Sequence, residues 1–279
     1  MVRIIVDTAT DLPPNVMYEY NLTSVPTRVR FGDEIFKVGI DLDDNEFYEM
    51  LSTSDYFPKT VHAPPRDFYN VFSGSREETI YLSISRKLSK YYDSAVLAKN
   101  NFRMNHVTVY DTDILSMATG MMAITASKMA RLGYSLREII QVLDQMKKKA
   151  VIYLVVPTLK YLYVSGRVNR SQLLSGRLLN IKPILRVADG EIVSGGRASG
   201  MKRAIEEIPQ LLSNDFNKAD DIMMTILHSN NLEGAFEMNK SIQSRFSVVE
   251  SYESRIGSSI GANVGPGAVG IAVVPSIRI

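Results

Sequence analysis

The sequence predicts an α/β fold in two domains: a three-layer α/β/α domain with a parallel sheet over residues 1–156, followed by an α/β domain with a mixed sheet over 157–279. Three observations predict it. A chain of 279 residues with 45% hydrophobic residues can bury two sizeable cores. In the first half, short β-branched runs alternate with helical periodicity, which implies parallel βαβ units. In the second half, a hairpin signal breaks that rhythm.

Taken in order, strands are predicted over 3–7, 23–31, 79–85, 107–112 and 151–156, each bounded by turn residues. A helix from about Asp113 has apolar residues nearly all round, which predicts full burial, and Gly133 marks its end. The next helix, 135–149, places Leu136, Ile139, Ile140, Leu143 and Met146 on one face, and Ser135 with Glu138 reads as a capping box. The domain boundary falls near Val156-Pro157, where a strand ends and proline can open a helix. Beyond it, Asp189-Gly190 between 184–187 and 191–193 predicts an antiparallel hairpin, because a type I′ turn needs positive φ at both central residues. Further strands over 222–228, 247–254 and 270–275, with a helix over 232–246, complete the mixed sheet.

Composition excludes several function classes. A net charge of +2, with both signs interspersed, lacks the concentrated positive field that nucleic-acid binding requires. With no cysteine, thiolate catalysis, disulfides and thiolate zinc sites are excluded. The scattered His62, His106 and His228 form no metal-binding spacing, so neither a metal nor a cofactor is expected. The first apolar run is too short for a signal peptide, and no run reaches the roughly 20 residues of a membrane span, so the expectation is a cytoplasmic protein without integral membrane association.

Ligands of parallel α/β sheets sit beyond the carboxyl ends of the strands. Here those positions carry Asp7, Thr8, Thr10, Ser85, Ser89, Asp111 and Thr112, hydroxyls that suit a carboxylate or phosphate beside free backbone N–H groups. Read singly, Thr8, Thr10, Ser89 and Thr112 are helix caps. Gly265, Gly267 and Gly270 satisfy G-x-G-x-x-G, but they open a strand rather than a helix, so they read as a tight turn or a close backbone approach, not a dinucleotide site. Ser165-Gly166 lacks the preceding glycine of a nucleophile elbow.

Three distant stretches, Val6-Asp7-Thr8-Ala9-Thr10-Asp11-Leu12-Pro13, Leu178-Leu179-Asn180-Ile181-Lys182-Pro183-Ile184-Leu185 and Gly261-Ala262-Asn263-Val264-Gly265-Pro266-Gly267-Ala268-Val269-Gly270, occur in an order that resembles the DegV family. Studied members of that family hold a long-chain fatty acid and present it to a separate ATP-dependent fatty acid kinase, which forms an acyl phosphate for phospholipid synthesis. Pro58-Lys59-Thr60 is similar to the family's P-K-T-S segment, Leu88-Ser89 to its L-S-G-T turn and Ser165-Gly166-Arg167-Val168 to its G-G-R-[IV] loop.

The resemblance implies a DegV-like fold, a lipid site at the domain interface and a non-catalytic carrier with no catalytic residue of its own. Thr60, Ser89 and Asn263 would bind the carboxylate, with Val61, His62, Ser85 and Lys90 as head-group neighbours. The Met-rich helix would wall the acyl tunnel through Met117, Met121 and Met122, and Arg167 would be the exposed arginine that docks the kinase catalytic subunit. Asn263 stands where the family carries a histidine, and Val61 where it carries a serine, so the head-group site loses a charge and a hydroxyl. Two other readings are open: a binding or sensor protein for another lipid or a small metabolite, and a serine hydrolase or phosphate-handling enzyme.

Overall fold

The computed structural model describes residues 1–169 and 180–279, which leaves Leu178 and Leu179 of the central stretch outside the described residues. The first sheet is fully parallel. It contains β1 (Arg3–Asp7), β2 (Thr23–Val25), β6 (Thr79–Ser83) and β7 (Val107–Asp111) in the order β2-β1-β6-β7. The second, larger sheet is mixed. It orders β8 (Val151–Val155), β9 (Ile181–Ala188), β10 (Glu191–Ser199), β11 (Asp221–His228), β12 (Ser247–Arg255) and β13 (Val269–Pro275) as β10-β9-β8-β13-β11-β12, and only β11 and β12 run parallel. Strand β8 precedes the expected boundary at Val156-Pro157, yet it pairs with β9 and β13 at the centre of this second sheet.

The expected strand over 23–31 is two strands. Pro26 has no N–H to donate to a ladder, and Thr27 gives its own N–H to Thr8 Oγ1 instead. After this break β3 (Arg28–Phe31) joins β4 (Glu34–Lys37) and β5 (Lys59–Val61) in a small antiparallel sheet of order β4-β3-β5, which the sequence reading did not contain. Thr60 is thereby seated opposite Val29.

Among the described residues the α-helices are α1 (Pro14–Glu19), α2 (Asp44–Thr53), α3 (Pro65–Phe72), α4 (Tyr91–Asn101), α5 (Ser116–Arg131), α6 (Leu136–Lys147), α7 (Lys160–Val164), α8 (Met201–Leu212), α9 (Leu232–Gln243) and α10 (Ser258–Val264). Ser135 and Glu138 form the expected capping box at the start of α6, and Gly133 adopts positive φ just past the end of α5. Asp189 and Gly190 both have positive φ in the β9–β10 hairpin, as the turn type demands.

Helix α5 explains how the two sheets form one body. It packs against β1 on one side and against β11 and β13 on the other. All its residues except Lys128 and Arg131 are buried. Its all-round apolar character is what a helix shared by two sheets requires. Helices α8 and α9 cover the opposite face of the six-stranded sheet, where Tyr153, Val155, Ile184 and Ile226 form a separate core with Ile205, Ile208 and Met238. Among the described residues, no helix is long and apolar enough to cross a membrane.

Candidate functional site

A pocket with about 830 Å³ of open space, its open mouth included, lies between the carboxyl edge of the parallel sheet and one face of the six-stranded sheet. From the parallel sheet it takes residues that follow strand ends: Ala9 after β1, Ile84, Leu88 and Ser89 after β6, and Leu115 and Ser116 after β7. From the larger sheet it takes Ile152 and Leu154 of β8, Leu185 and Val187 of β9, Ile192 of β10 and Leu227 of β11. The i, i+2 pairs on β8 and β9 lie on one face because side chains alternate along a strand. Helix α10 closes the pocket with Ser259, Ile260, Asn263 and Val264.

One end of this apolar chamber is polar. Thr60, Ser89, Asn263 and Arg167 all line it, so four of the residues singled out from the sequence converge although they lie far apart in the chain. Thr60, Ser89 and Arg167 also line a second, polar pocket of about 600 Å³ on the outer side, together with Val61, His62, Arg86, Lys87 and Lys90. The two spaces share their boundary residues, so the outer one is the vestibule of the inner one.

Arg167 corrects an expectation. It is not exposed but half-buried, and its Nη2 donates to Thr60 Oγ1 at 3.0 Å. Burial lowers its pKa through desolvation. The local chain explains the placement: Gly166 N–H donates to Tyr163 O and Arg167 N–H to Leu162 O, with Gly166 at φ 77°, which is the Schellman ending of α7. The left-handed glycine turns the chain back, and the guanidinium is carried to the chamber rather than to solvent. Arg167 also donates to Ser165 O.

Other expected positions fall elsewhere. Met117, Met121 and Met122 are fully buried in the core beneath α5 and do not line the chamber, because that helix faces sheets on both sides; only Leu115 and Ser116 at its start reach the pocket. Ser85 donates to Gly190 O at 2.9 Å and accepts from Lys87 N, so it braces the β9–β10 hairpin and not a head group. Lys90 is exposed and pairs with Asp93 at 3.3 Å. Thr10 donates to the Asp7 carbonyl three residues back and Thr112 to the Ser83 carbonyl at the end of the neighbouring strand, so neither is the helix cap the sequence suggested.

The hydrogen-bond states at the mouth define what it can offer. Thr60 Oγ1 accepts from Arg167, and Ser89 Oγ accepts from Tyr91 N at 3.3 Å, so each hydroxyl hydrogen remains available to a ligand. Asn263 Nδ2 donates to Ser259 O at 2.8 Å, one helical turn back, whereas Asn263 Oδ1 is buried with no partner among the described residues. Among the described residues, no histidine lines the chamber.

Three lining hydroxyls were not anticipated from the sequence. Thr27 bonds to both Thr8 and Ser259, which links the small sheet to α10 beside the pocket. Ser116, at φ 53°, donates to Asp11 at 2.5 Å. Asp11 is fully buried and also accepts from Gly257 N; desolvation pushes its pKa up to about 8. Asp7, likewise buried, is pushed up to about 6 while accepting from Tyr81 and Ala9 N. No local motif marks Thr27, Ser116 or Ser259, because each owes its position to a strand break or a helix start that tertiary packing sets.

The glycine-rich closing segment is structural at its centre. A Cβ on Gly265 would lie 2.3 Å from the Tyr161 ring and one on Gly270 2.4 Å from the Tyr153 carbonyl. It is a tight turn held by close packing.

The profile of the DegV family, described as a family of uncharacterised proteins, matches residues 1–276. The chain belongs to the DegV family. A DegV domain-containing protein of Halalkalibacterium halodurans is 31% identical over 275 residues, which cover 97% of each chain. A fatty acid-binding protein of Thermotoga maritima is 30% identical over 286 residues, covering 98% of this chain and 97% of that one. Among solved structures, a fatty-acid-binding DegV family protein from Thermus thermophilus matches with a TM-score of 0.90 at 27% identity over 99% of each chain. The mixed α/β architecture built from a parallel and a mixed sheet is therefore the DegV fold, and fatty acid binding is described for relatives of this DegV protein.

Proposed function

We propose that this DegV protein binds a long-chain fatty acid, with the acyl chain in the apolar chamber and the head group at Thr60, Ser89 and Arg167. The observation that carries the reading is the chamber itself: apolar walls from two sheets end at a cluster of hydrogen-bond donors and one guanidinium. Burying about 14 methylenes at ~0.8 kcal/mol each contributes roughly 11 kcal/mol before immobilisation costs. A buried carboxylate without donors is heavily penalised, and Arg167 supplies the positive charge that Asn263, in the family's histidine position, does not. The fatty acid-binding names of the Thermotoga and Thermus relatives support the same ligand class.

On this reading the protein is a carrier without its own catalytic residues, acting in the cytoplasm. It presents the acid to a separate ATP-dependent fatty acid kinase that forms the acyl phosphate used in phospholipid synthesis. The vestibule supports that step: it lies directly outside the head-group cluster, and Arg86, Lys87 and Lys90 bring positive charge to the side from which an anionic phosphoryl donor must approach. A serine hydrolase gains no support, since Ser89 Oγ accepts from a backbone N–H and, among the described residues, no histidine hydrogen-bonds to it.

Native mass spectrometry of the purified protein, followed by organic extraction, tests the ligand. A retained mass matching a long-chain fatty acid is expected; a protein that emerges empty and stays empty when offered fatty acids overturns the reading. For the kinase step, charge reversal at Arg86 and Lys90 together should slow acyl phosphate formation by the partner kinase while the lipid still binds. An unchanged rate would remove the vestibule from the mechanism.

A further inference from the structure

The chamber lies between two sheets, and the β9–β10 hairpin ties them together beside it. One side of the lining includes Leu185 and Val187 of β9 and Ile192 of β10, and the other includes Ile84, Leu88 and Leu115. The turn Asp189-Gly190 that joins β9 to β10 lands on the carboxyl edge of the parallel sheet. Ser85 Oγ donates to Gly190 O at 2.9 Å, and Gly190 N–H donates to Asp113 O at 2.7 Å. Lys87 Nζ donates to Asp189 O at 3.0 Å and pairs with Glu191 at 3.1 Å. The fit is close, since a Cβ on Gly190 would lie 2.9 Å from Ser85 Oγ and 3.2 Å from Lys87 Cδ. Every tie stands next to the chamber: Ser85 follows Ile84, Lys87 precedes Leu88, and Asp113 and Gly190 come just before Leu115 and Ile192.

The rest of the hairpin has points of give. Strand β9 is paired to β8 over Ile184–Val187, so the tip projects beyond that anchor. Strand β10 is the outermost of its sheet and, among the described residues, pairs with β9 alone. Its register shifts between Ser194 and Gly196, at a Gly195-Gly196 pair, and the next position, Arg197, faces Pro183, which has no N–H for the ladder. The polar mouth is a poor route for an acyl chain, because a tail threaded through it would displace water from the Arg167 guanidinium and its Thr60 partner without replacing those hydrogen bonds. We infer that the β9–β10 tip is a clasp on the chamber: the lipid enters and leaves when the ties to Ser85, Lys87 and Asp113 part and β10 lifts Ile192 away from the lining. The inference rests on the lipid-binding reading above and adds how the ligand is exchanged.

The chain has no cysteine, so Ser85→Cys combined with Gly190→Cys can place a lone disulfide across the clasp. Stopped-flow mixing of the intact protein with cis-parinarate, a fatty acid that fluoresces when it leaves water, gives the association and dissociation rate constants and, from their ratio, Kd. In the oxidised variant both rate constants are expected to lie about tenfold or more below those of its reduced form, with reductant restoring them. Ser85→Ala cuts one tie in the otherwise native chain. A single hydrogen bond corresponds to about fivefold in an opening equilibrium, so both rate constants should rise about fivefold while Kd stays within about twofold. Equal rates in the oxidised and reduced forms overturn the inference and leave the lipid reading standing. A Ser85→Ala variant whose Kd shifts while association is unchanged also overturns it, because Ser85 would then support the wall and not the exchange. If the cysteine pair fails to fold or to close, Ser85→Ala decides by the same criterion. Binding of neither cis-parinarate nor palmitate overturns the lipid reading and this inference with it.

Discussion

The inner chamber is walled by Ile152, Leu154, Leu185, Val187 and Leu227, which come from three strands of one sheet, whereas its polar residues come one each from β5, the turn after β6, the loop after α7 and α10. The wall is regular, and strand alternation alone puts those side chains on one face. The mouth depends on three separate local devices: the short strand seating Thr60 opposite Val29, the glycine turn carrying Arg167, and the helical back-bond orienting Asn263. Many interchangeable apolar contacts set the strength of binding, and a few irreplaceable polar ones set orientation and choice of head group. Loss at the wall should therefore weaken all lipids alike, while loss at the mouth should change their ranking.

The largest effect is expected from the wall. Val187→Phe adds a ring inside the chamber and displaces about four methylenes of ligand, which at ~0.8 kcal/mol each costs about 3 kcal/mol, or roughly a hundredfold in affinity. Fatty acid and fatty alcohol should lose equally when titrated against the variant. A loss confined to the acid would mean that the wall and the mouth are not separate.

Next comes Arg167→Gln, which removes the charge and keeps a donor. A hydrogen bond to a charged partner is worth about 2 kcal/mol, so acid affinity should fall roughly thirtyfold while alcohol affinity stays within about threefold. If charge loss leaves the acid unaffected, Arg167 faces something other than the head group. Ser89→Ala should do less: a single hydroxyl contributes about 1 kcal/mol, close to fivefold, again for the acid more than for the alcohol.

This difference between wall and mouth also explains what could be read in the sequence. Most strands of the two larger sheets, the Ser135–Glu138 capping box and the Asp189-Gly190 hairpin were legible because each depends on residues within a few positions of one another, whereas the small sheet, which begins at the Pro26 break, was not. The mouth residues Thr60 and Asn263 were reached through resemblance to a family and not through any local signal, whereas Ser89 was also marked by its place just beyond a strand. Met117, Met121 and Met122 were assigned to the ligand because helical periodicity reveals that a helix is buried but not what buries it; here sheets on both sides do. Thr27, Ser116 and Ser259 went unseen because each reaches the pocket through a partner more than 18 positions away, Thr8, Asp11 and Thr27 respectively.

The smallest effect tests the most local of the mouth's devices. Gly166 has positive φ, and a Cβ built there meets nothing within 4 Å, so Gly166→Ala has no steric clash and pays only for holding an L-residue in the left-handed region, about 1 kcal/mol. That cost should appear as a drop of a few degrees in Tm. Because the turn aims Arg167, acid affinity should also fall, by about twofold, with the alcohol unmoved. Gly166→Asn separates the two contributions, since asparagine tolerates the left-handed region and should recover most of both losses. A Tm drop without any change in acid affinity would show that Arg167 finds the chamber without the glycine turn, and the mouth would then be as tolerant of its backbone as the wall is.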